Sequence, residues 1–185
     1  MNNAQMYEKL ALLFEYPRAG FPEAAQDVAK SLGDSYPQAA AHVEKFLAWL
    51  PTESLNSIQE LYIRSFDVQA ITTLDIGYVL FGDDYKRGEL LSHLNREHVA
   101  NGVDCRGELA DNLPNVLRLL ARLKNEELIE ELVQDLLVPA VSSMIGEFSS
   151  DRIKAKYASY EKHYKTLLVT PGDRIEQQTL YVETL

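Results

Sequence analysis

The chain has 185 residues, of which 46% are hydrophobic and 25% charged, and its formal net charge at pH 7 is −10. This length and composition predict one globular domain that buries about 70% of the surface exposed by its unfolded chain. The acidic charge disfavours nucleic acid as a partner, because non-specific binding to a phosphate backbone depends on lysine and arginine. No run approaches the roughly 18 consecutive apolar residues of a spanning helix, so we expect no membrane insertion.

Cysteine usage and the N-terminal sequence predict a cytoplasmic location. Cys105 is the single cysteine, so no disulfide can form within the chain. The first residues, MNNAQMYEKL, contain neither the basic nor the apolar region of a secretory signal peptide. Both features suit a reducing compartment.

Apolar residues recur at intervals of three and four along nearly the whole chain, which predicts an all-α fold. Prolines, glycines and capping residues divide this pattern into about nine helices of one bundle that covers residues 1–185. The predicted helices span residues 3–16, 22–33, 37–50, 54–66, 73–81, 84–101, 113–123, 125–148 (kinked or restarted at Pro139) and 150–168. The tail from Asp173 is expected to be either frayed or docked.

Three of the predicted helices have distinctive faces. The segment TLDIGYVLF lacks a polar face, so we expect a buried central helix that is capped by Thr72 or Thr73. The acidic run from Glu126 to Asp135 is typical of a solvated helix face. Two alternatives are that this run docks a basic segment, or that it faces the lysine-rich last helix.

The sequence contains no arrangement typical of a catalytic or metal site. The segment FGDDYKRGE has neither the spacing nor the GK[ST] ending of a phosphate-binding loop. No Glu-x-x-His or HExxH motif occurs, so the four histidines are expected to be structural or on the surface. Glu89, His93 and Glu97 share one helix face without a nucleophile, which favours ordinary helix pairing. We therefore expect no enzyme and no bound metal or cofactor.

Three sequence elements follow one another in the middle of the chain: LYIRSFD, LFGDDYKRG and GELADNLPNVLRLLARL. Together they resemble the NarJ and TorD family of molybdoenzyme maturation chaperones, the nitrate-reductase delta-subunit-like proteins. The family patterns are Tyr-x-x-x-Phe-Asp, Gly-[Asp/Glu]-x-x-x-Arg-Gly and Glu-Leu-Pro-Asp-x-Leu-Pro. The matching residues are Tyr62, Phe66, Asp67, Gly82, Asp83, Arg87, Gly88, Glu108, Leu109, Asp111, Leu113 and Pro114. Ala110 stands where the family usually has proline, and Asn112 stands where some relatives carry histidine.

The resemblance directly covers about a third of the chain and implies an all-helical chaperone. Such a protein binds the N-terminal region of the apo catalytic subunit of a molybdenum-containing oxidoreductase, such as nitrate reductase or a related enzyme of the DMSO-reductase family. It holds that subunit in the cytoplasm until the molybdenum cofactor is inserted, and it does not remain in the finished enzyme. We expect a monomer or a weak dimer.

The resemblance also implies which residues contact the client peptide. A groove between helices can bind an apolar peptide while polar groups at its rim fix the register. The predicted peptide-binding residues are Tyr62, Phe66, Asp67, Arg87, Glu108, Asp111, Asn112, Leu113 and Pro114. Gly82 and Gly88 would permit close approach of the peptide backbone.

Structural roles are the alternatives for several of these residues. Asp67 and Asp111 suit helix caps, Arg87 suits a partner for a buried carboxylate, and the leucines suit the core. On the peptide-binding hypothesis, replacing Asp111 by alanine weakens client binding more than it weakens the fold.

Two other functions are consistent with the sequence. One is an all-helical factor that binds a nucleotide or the molybdenum cofactor itself, which predicts saturable binding of GTP or molybdopterin without a client. The other is a permanent accessory subunit, which predicts co-purification with the mature enzyme.

Overall fold

A computed structural model describes residues 3–50, 53–68 and 70–163, with side chains through Ser159. In this part of the chain all regular structure is helical, as the spacing of apolar residues predicts. Among these residues, a single isolated β-bridge joins two extended segments, between Asp75 and Asn112. The fold is therefore an all-α, single-domain bundle.

The helices follow one another with short connections. They are α1 (Asn3–Leu13), α2 (Phe21–Ser35), α3 (Pro37–Trp49), α4 (Leu55–Phe66), α5 (Ile76–Phe81), α6 (Tyr85–Ala100), α7 (Leu113–Arg122), α8 (Glu126–Glu131), a π segment (Leu132–Leu137), α9 (Val138–Glu147) and α10 (Ser150–His163). Since α8, the π segment and α9 are continuous, the described residues form nine helical runs. The prediction of about nine helices is confirmed.

Helix α1 ends at Leu13, three residues before the predicted end at Tyr16. Tyr16 precedes Pro17, and a residue before proline is disfavoured in helical conformation. The Phe14 N–H closes the last turn on the Ala11 carbonyl at 3.2 Å, and the Phe14 carbonyl accepts a hydrogen bond from the Tyr62 hydroxyl, also at 3.2 Å. As a result the chain after α1 turns towards α4 and contributes to the site described below.

Side-chain caps begin several helices as the sequence predicts. The Ser54 side chain accepts from the Ser57 N–H at the start of α4, and the Asp84 side chain accepts from the Lys86 N–H at the start of α6. Such caps satisfy backbone donors that have no partner in the first turn. Gly82 ends α5 with a φ of +59°, a conformation that L side chains rarely adopt.

The distortion predicted at Pro139 lies in the turn before it. There the Val138 N–H donates to the Val133 carbonyl five residues back, which defines the π segment. A proline ring clashes with the carbonyl four residues before it in a regular helix, and a wider turn accommodates the ring. The helix therefore continues through Pro139 into α9.

The buried central helix is α7, and the prediction that TLDIGYVLF has this role is wrong. In that segment α5 begins only at Ile76, because Thr73 Oγ1 accepts the Asp75 N–H at 3.1 Å in a turn. Tyr78 is 43% exposed and Phe81 is 37% exposed. In α7, every residue from Leu113 to Leu120 is buried, and the helix packs mainly against α1.

Ion pairs tie the start of α10 to the end of α9. Arg152 and Lys156 form ion pairs with Glu147, and Lys156 Nζ also donates to the Ile71 carbonyl. These contacts join α10 to Glu147 and Ile71, and none of them involves the acidic run from Glu126 to Asp135. The predicted continuation to residue 168 and the tail from Asp173 lie outside the described residues. No described helix is long and apolar enough to cross a lipid bilayer.

Candidate functional site

A cleft of about 590 Å³ opens where the residues after α1, the end of α4 and the start of α7 meet. Residues 73–75 and the loop before α7 complete its wall. Six of the nine predicted peptide-binding residues line it: Tyr62, Phe66, Asp67, Glu108, Asn112 and Pro114. Two sequence elements that are far apart in the chain thus meet at one surface. That these six residues contact a client stays a prediction.

An aromatic wall forms one side of this cleft. It consists of Phe14, Tyr16, Tyr62 and Phe66. The ring centroids of Tyr16 and Tyr62 are 5.5 Å apart with an interplanar angle of 89°, and those of Tyr62 and Phe66 are 5.4 Å apart at 65°. Edge-to-face packing of this kind holds rings in fixed orientations. The wall is therefore a preformed apolar surface, of which Tyr16 is the exposed end.

Two carboxylates, Asp67 and Glu108, lie near Tyr62. Both residues are exposed and line the cleft. Burial raises the pKa of the Tyr62 phenol above its ordinary value, and the negative charges of Glu108 and Asp67 raise it further. Tyr62 therefore stays protonated and keeps donating to the Phe14 carbonyl, which fixes the ring at the edge of the cleft.

Glu15 joins two arginines in another part of the cleft. Arg106 Nη1 lies 2.9 Å from Glu15 Oε1, and Arg118 contacts the same oxygen. Arg118 Nη1 also donates to Asn115 Oδ1 at 3.3 Å. Burial lowers the pKa of the Arg118 guanidinium, and the charge of Glu8 opposes this effect. The sequence analysis missed these residues, because Glu15 and Arg106 are 91 positions apart and belong to no local motif.

Arg87 lies behind the cleft wall in an internal ion-pair network. Its Nε donates to Asp111 Oδ2 at 2.9 Å, and its Nη2 donates to Asp75 Oδ2 at 3.2 Å. Asn112 Nδ2 donates to Asp75 Oδ1 at 3.2 Å, and the Tyr78 ring centroid lies 5.1 Å from the Arg87 guanidinium carbon. The hydrogen bond to Asp111 is the main cause that raises the pKa of Arg87. The network therefore positions Asp75 and Asn112, which do line the cleft.

Arg87, Asp111 and Leu113, the other three predicted peptide-binding residues, do not line the cleft, and their contact with a client stays a prediction. The Asp111 side chain is 0% exposed, and its charge is matched by Arg87, whose side chain is 16% exposed. Leu113 belongs to the core. A buried carboxylate needs a cationic partner, so the pairing of Arg87 with Asp111 is structural. This is the role that the sequence left open as the alternative for Arg87.

Backbone hydrogen bonds reinforce the same wall. The Ile76 N–H donates to the Asp111 carbonyl at 2.9 Å, and the Leu113 N–H donates to the Leu74 carbonyl at 2.8 Å. Gly77 follows directly, and a Cβ atom there would lie 2.5 Å from Asp111 Oδ2 and 2.9 Å from Leu90 Cδ2. Only glycine fits at this position without a shift of its neighbours. A glycine inside an apolar helical segment is a sequence signal for such close packing, but it does not identify the neighbour.

Two buried side chains hold the loop before α7. Asn115 Nδ2 donates to the Leu109 carbonyl at 2.9 Å and to the Cys105 carbonyl at 3.2 Å. His98 Nε2 lies 2.9 Å from the Ala110 carbonyl, and since a carbonyl only accepts, Nε2 carries the proton. Cys105 and Glu108, which line the cleft, are thus carried on a loop anchored from both α6 and α7.

The described residues also bear on metal binding and on the α6 face that carries Glu89 and His93. Among them, no three histidine, cysteine, aspartate or glutamate side chains are grouped so that they would hold a metal ion. Glu89 and His93 lie exposed on α6, and their pairing along the helix stays a prediction. Comparison of the sequence with protein-family models and with curated proteins found no match.

Proposed function

We propose that this chain is a cytoplasmic chaperone for a molybdenum-containing oxidoreductase. It binds the N-terminal region of the apo catalytic subunit in the cleft and holds that subunit until the molybdenum cofactor has been inserted. It acts by binding rather than by catalysis, and it leaves before the enzyme is finished. The client belongs to the class of nitrate reductase and its DMSO-reductase-family relatives.

The observation that carries this proposal is the spatial grouping of the three elements that resemble the family. The first element supplies Tyr62 and Asp67 to the cleft, and the third supplies Glu108 and Pro114. The second supplies Arg87, which fixes the cleft wall from behind through Asp111. A shared binding function would explain why the three elements form one cleft and the ion pair that supports it.

The cleft has the chemistry of a peptide groove. An aromatic wall buries apolar side chains of a bound segment, and polar groups at the rim set its register. The volume of about 590 Å³ suits a few side chains of such a segment rather than a whole folded surface. A nascent or unfolded N-terminal region is such a segment, because it still exposes the apolar residues that a folded domain would bury.

An affinity purification of the tagged chain from the cytoplasm of its source, grown under anaerobic respiration, tests the proposal. We expect mass spectrometry to identify a molybdoenzyme catalytic subunit, and metal analysis of that fraction to find no molybdenum. Recovery of the mature, molybdenum-containing complex would instead identify a permanent subunit. Recovery of no molybdoenzyme subunit would contradict the proposal.

Nucleotide or cofactor binding is a second candidate, favoured by one feature of the cleft. Arg18, Arg106 and Arg118 line it, and the carboxylate of Glu15 is shared between the last two. Guanidinium groups are well suited to phosphate oxygens. Calorimetric titration of the full chain with GTP decides between the candidates: the chaperone proposal expects no saturable heat in the absence of a client, and saturable binding favours the second candidate.

A further inference from the structure

The charges of the cleft are unevenly compensated. Glu15 is paired with Arg106 and Arg118, and Asp75 is paired with Arg87. Neither the Asp67 carboxylate nor the Glu108 carboxylate has a hydrogen-bond or ion-pair partner among the side chains that the structure describes.

These two carboxylates adjoin the aromatic wall. Tyr62, Asp67 and Glu108 all line the cleft, and the negative charges of both carboxylates raise the pKa of the Tyr62 phenol. Tyr62 packs edge to face with Tyr16 and with Phe66, so the ring is held in place. The result is a small apolar surface with two negative charges at its edge.

We infer that Asp67, Glu108 and Tyr62 form a subsite for one lysine or arginine side chain of the bound segment. This inference rests on the proposed function, since it concerns the peptide that occupies the same cleft. The aliphatic stem of a lysine or arginine packs against the aromatic wall, and its charged head reaches the two carboxylates. The arginines beside Glu15 repel a cation, so a basic residue has one favoured position in the cleft and fixes the register of the segment.

The test uses the full chain and short synthetic peptides of leucine, alanine, serine and glutamine with one varied central position. The varied residue is arginine, norleucine or glutamate, and binding is measured by fluorescence anisotropy at low and at high salt. We expect the arginine peptide to bind about three- to tenfold more tightly than the norleucine peptide at low salt, since exposed ion pairs contribute modestly. The preference should shrink at high salt, because salt screens exposed charges.

Charge-neutral variants locate the preference. Asp67→Asn and Glu108→Gln each should reduce it about two- to fivefold, and the double variant should abolish it. Glu130→Gln is the matched control, because Glu130 is also an exposed carboxylate, lies on α8 and does not line the cleft. It removes the same charge from the molecule and should leave the preference unchanged. Alkylation of Cys105, which lines the cleft, should be slowed by the bound arginine peptide.

Three results would overturn the subsite: no saturable binding of the arginine peptide, equal affinities for arginine and norleucine, or a preference that survives the double variant. Failure of the proposed function has a different outcome. If the double variant abolishes the arginine preference but affinity purification recovers no molybdoenzyme subunit, the subsite stands and the client class is wrong. If a molybdoenzyme subunit is recovered but the peptides show no preference, the chaperone proposal stands without this subsite.

Discussion

Asp111 is a buried carboxylate whose only described cationic partner is Arg87. Its side chain is 0% exposed, so removing it leaves the guanidinium without its nearest countercharge. The resemblance to the chaperone family suggests a contact with the client, whereas the geometry assigns Asp111 to the support of the cleft wall. Substitution at this position is therefore expected to act first on stability.

Asp111→Ala should lower the free energy of unfolding by about 3 kcal/mol, because breaking one side of a buried ion pair leaves an uncompensated charge. Asp75→Ala is the comparison, because Asp75 is partly exposed and Arg87 would still be paired with Asp111 in this variant. We expect the free energy of unfolding to fall by about 1 kcal/mol or less. Urea denaturation measures both. Equal losses, or a loss below about 1 kcal/mol for Asp111→Ala, would show that the pairing with Arg87 contributes little.

Gly77→Ala tests the close approach of α5 to Asp111. The added Cβ would lie 2.5 Å from Asp111 Oδ2, so a backbone or carboxylate shift is required, and we expect a loss of about 1 to 3 kcal/mol. Gly88→Ala is the matched control, because Gly88 lies in α6 with no atom within 4 Å of the added Cβ. It should stabilise the protein by about 0.5 to 1 kcal/mol. Thermal melting that moved both variants in the same direction would contradict this account.

At the residue scale, contiguous motifs could be predicted and long-range partners could not. Tyr62, Phe66 and Asp67 stand close together in the sequence, and all three line the cleft. Glu15 and Arg118 belong to no local pattern, since Glu15 follows the end of α1 and Arg118 has the spacing of an ordinary polar position in an amphipathic helix. Only packing of α1 against α7 reveals that they are partners.

The loop between α6 and α7 is the element on which much of the site depends. It carries Cys105, Arg106 and Glu108 into the cleft, and two buried side chains hold its carbonyls. Arg106 has a φ of +54°, a rare conformation for a residue other than glycine, and its N–H donates to Asp104 Oδ1 at 2.8 Å. The shape of this loop is thus imposed by its hydrogen bonds.

Asn115→Ala should loosen this loop. It removes the donor to the Leu109 and Cys105 carbonyls, so we expect a loss of about 1 to 3 kcal/mol in the free energy of unfolding. Limited trypsin digestion should cut after Arg106 faster than in the unsubstituted chain, because local opening exposes the backbone. Asn101→Ala, which affects a side chain bonded only within the end of α6, serves as the control. Unchanged cleavage at Arg106 in Asn115→Ala would contradict the anchoring role.

At the element scale, helices with clear capping and breaking residues could be predicted, whereas the ends of α1 and α2 and the start of α5 could not. Ser54 and Asp84 start their helices as expected because each side chain supplies a backbone acceptor. Helix α2 runs past Gly33 to Ser35, since an exposed helical glycine costs only about 1 kcal/mol. The start of α5 was missed because a turn closed by Thr73 and a bridge to Asn112 outweigh the local apolar pattern.

At the scale of the whole molecule, the reactivity of the single cysteine, Cys105, measures how far folding shields the cleft from solvent. Burial raises the pKa of the Cys105 thiol, and the charge of Asp104 raises it further. A raised pKa means less reactive thiolate at any given pH, so iodoacetamide should react more slowly with the folded chain than with free cysteine between about pH 7 and 9. The rate should climb as the pH rises further, and denaturation should remove the difference. Equal rates for the folded chain and free cysteine would show that the thiol is fully solvated.

Taken as a whole, the bundle could be predicted from its spacing of apolar residues, whereas the cleft required the packing of the helices. Much of the cleft comes from helix ends and loops, where apolar periodicity carries no information, and Tyr62 and Arg118 meet there only because their helices pack together. The resemblance to the chaperone family supplied six of its lining residues, and the structure added the aromatic neighbours and the arginines around Glu15.

The central claim, that the cleft binds the N-terminal region of an apo molybdoenzyme subunit, is tested most directly by site-specific photo-crosslinking. Benzoylphenylalanine replaces either Tyr16, which is 44% exposed at the cleft, or Tyr36, which is 49% exposed and does not line it. Each chain is irradiated in extract of the source cells and its adducts are sequenced by mass spectrometry. We predict adducts with the N-terminal region of a molybdoenzyme catalytic subunit from position 16 and none from position 36. Equal adducts from both positions, or none with such a subunit, would contradict the claim.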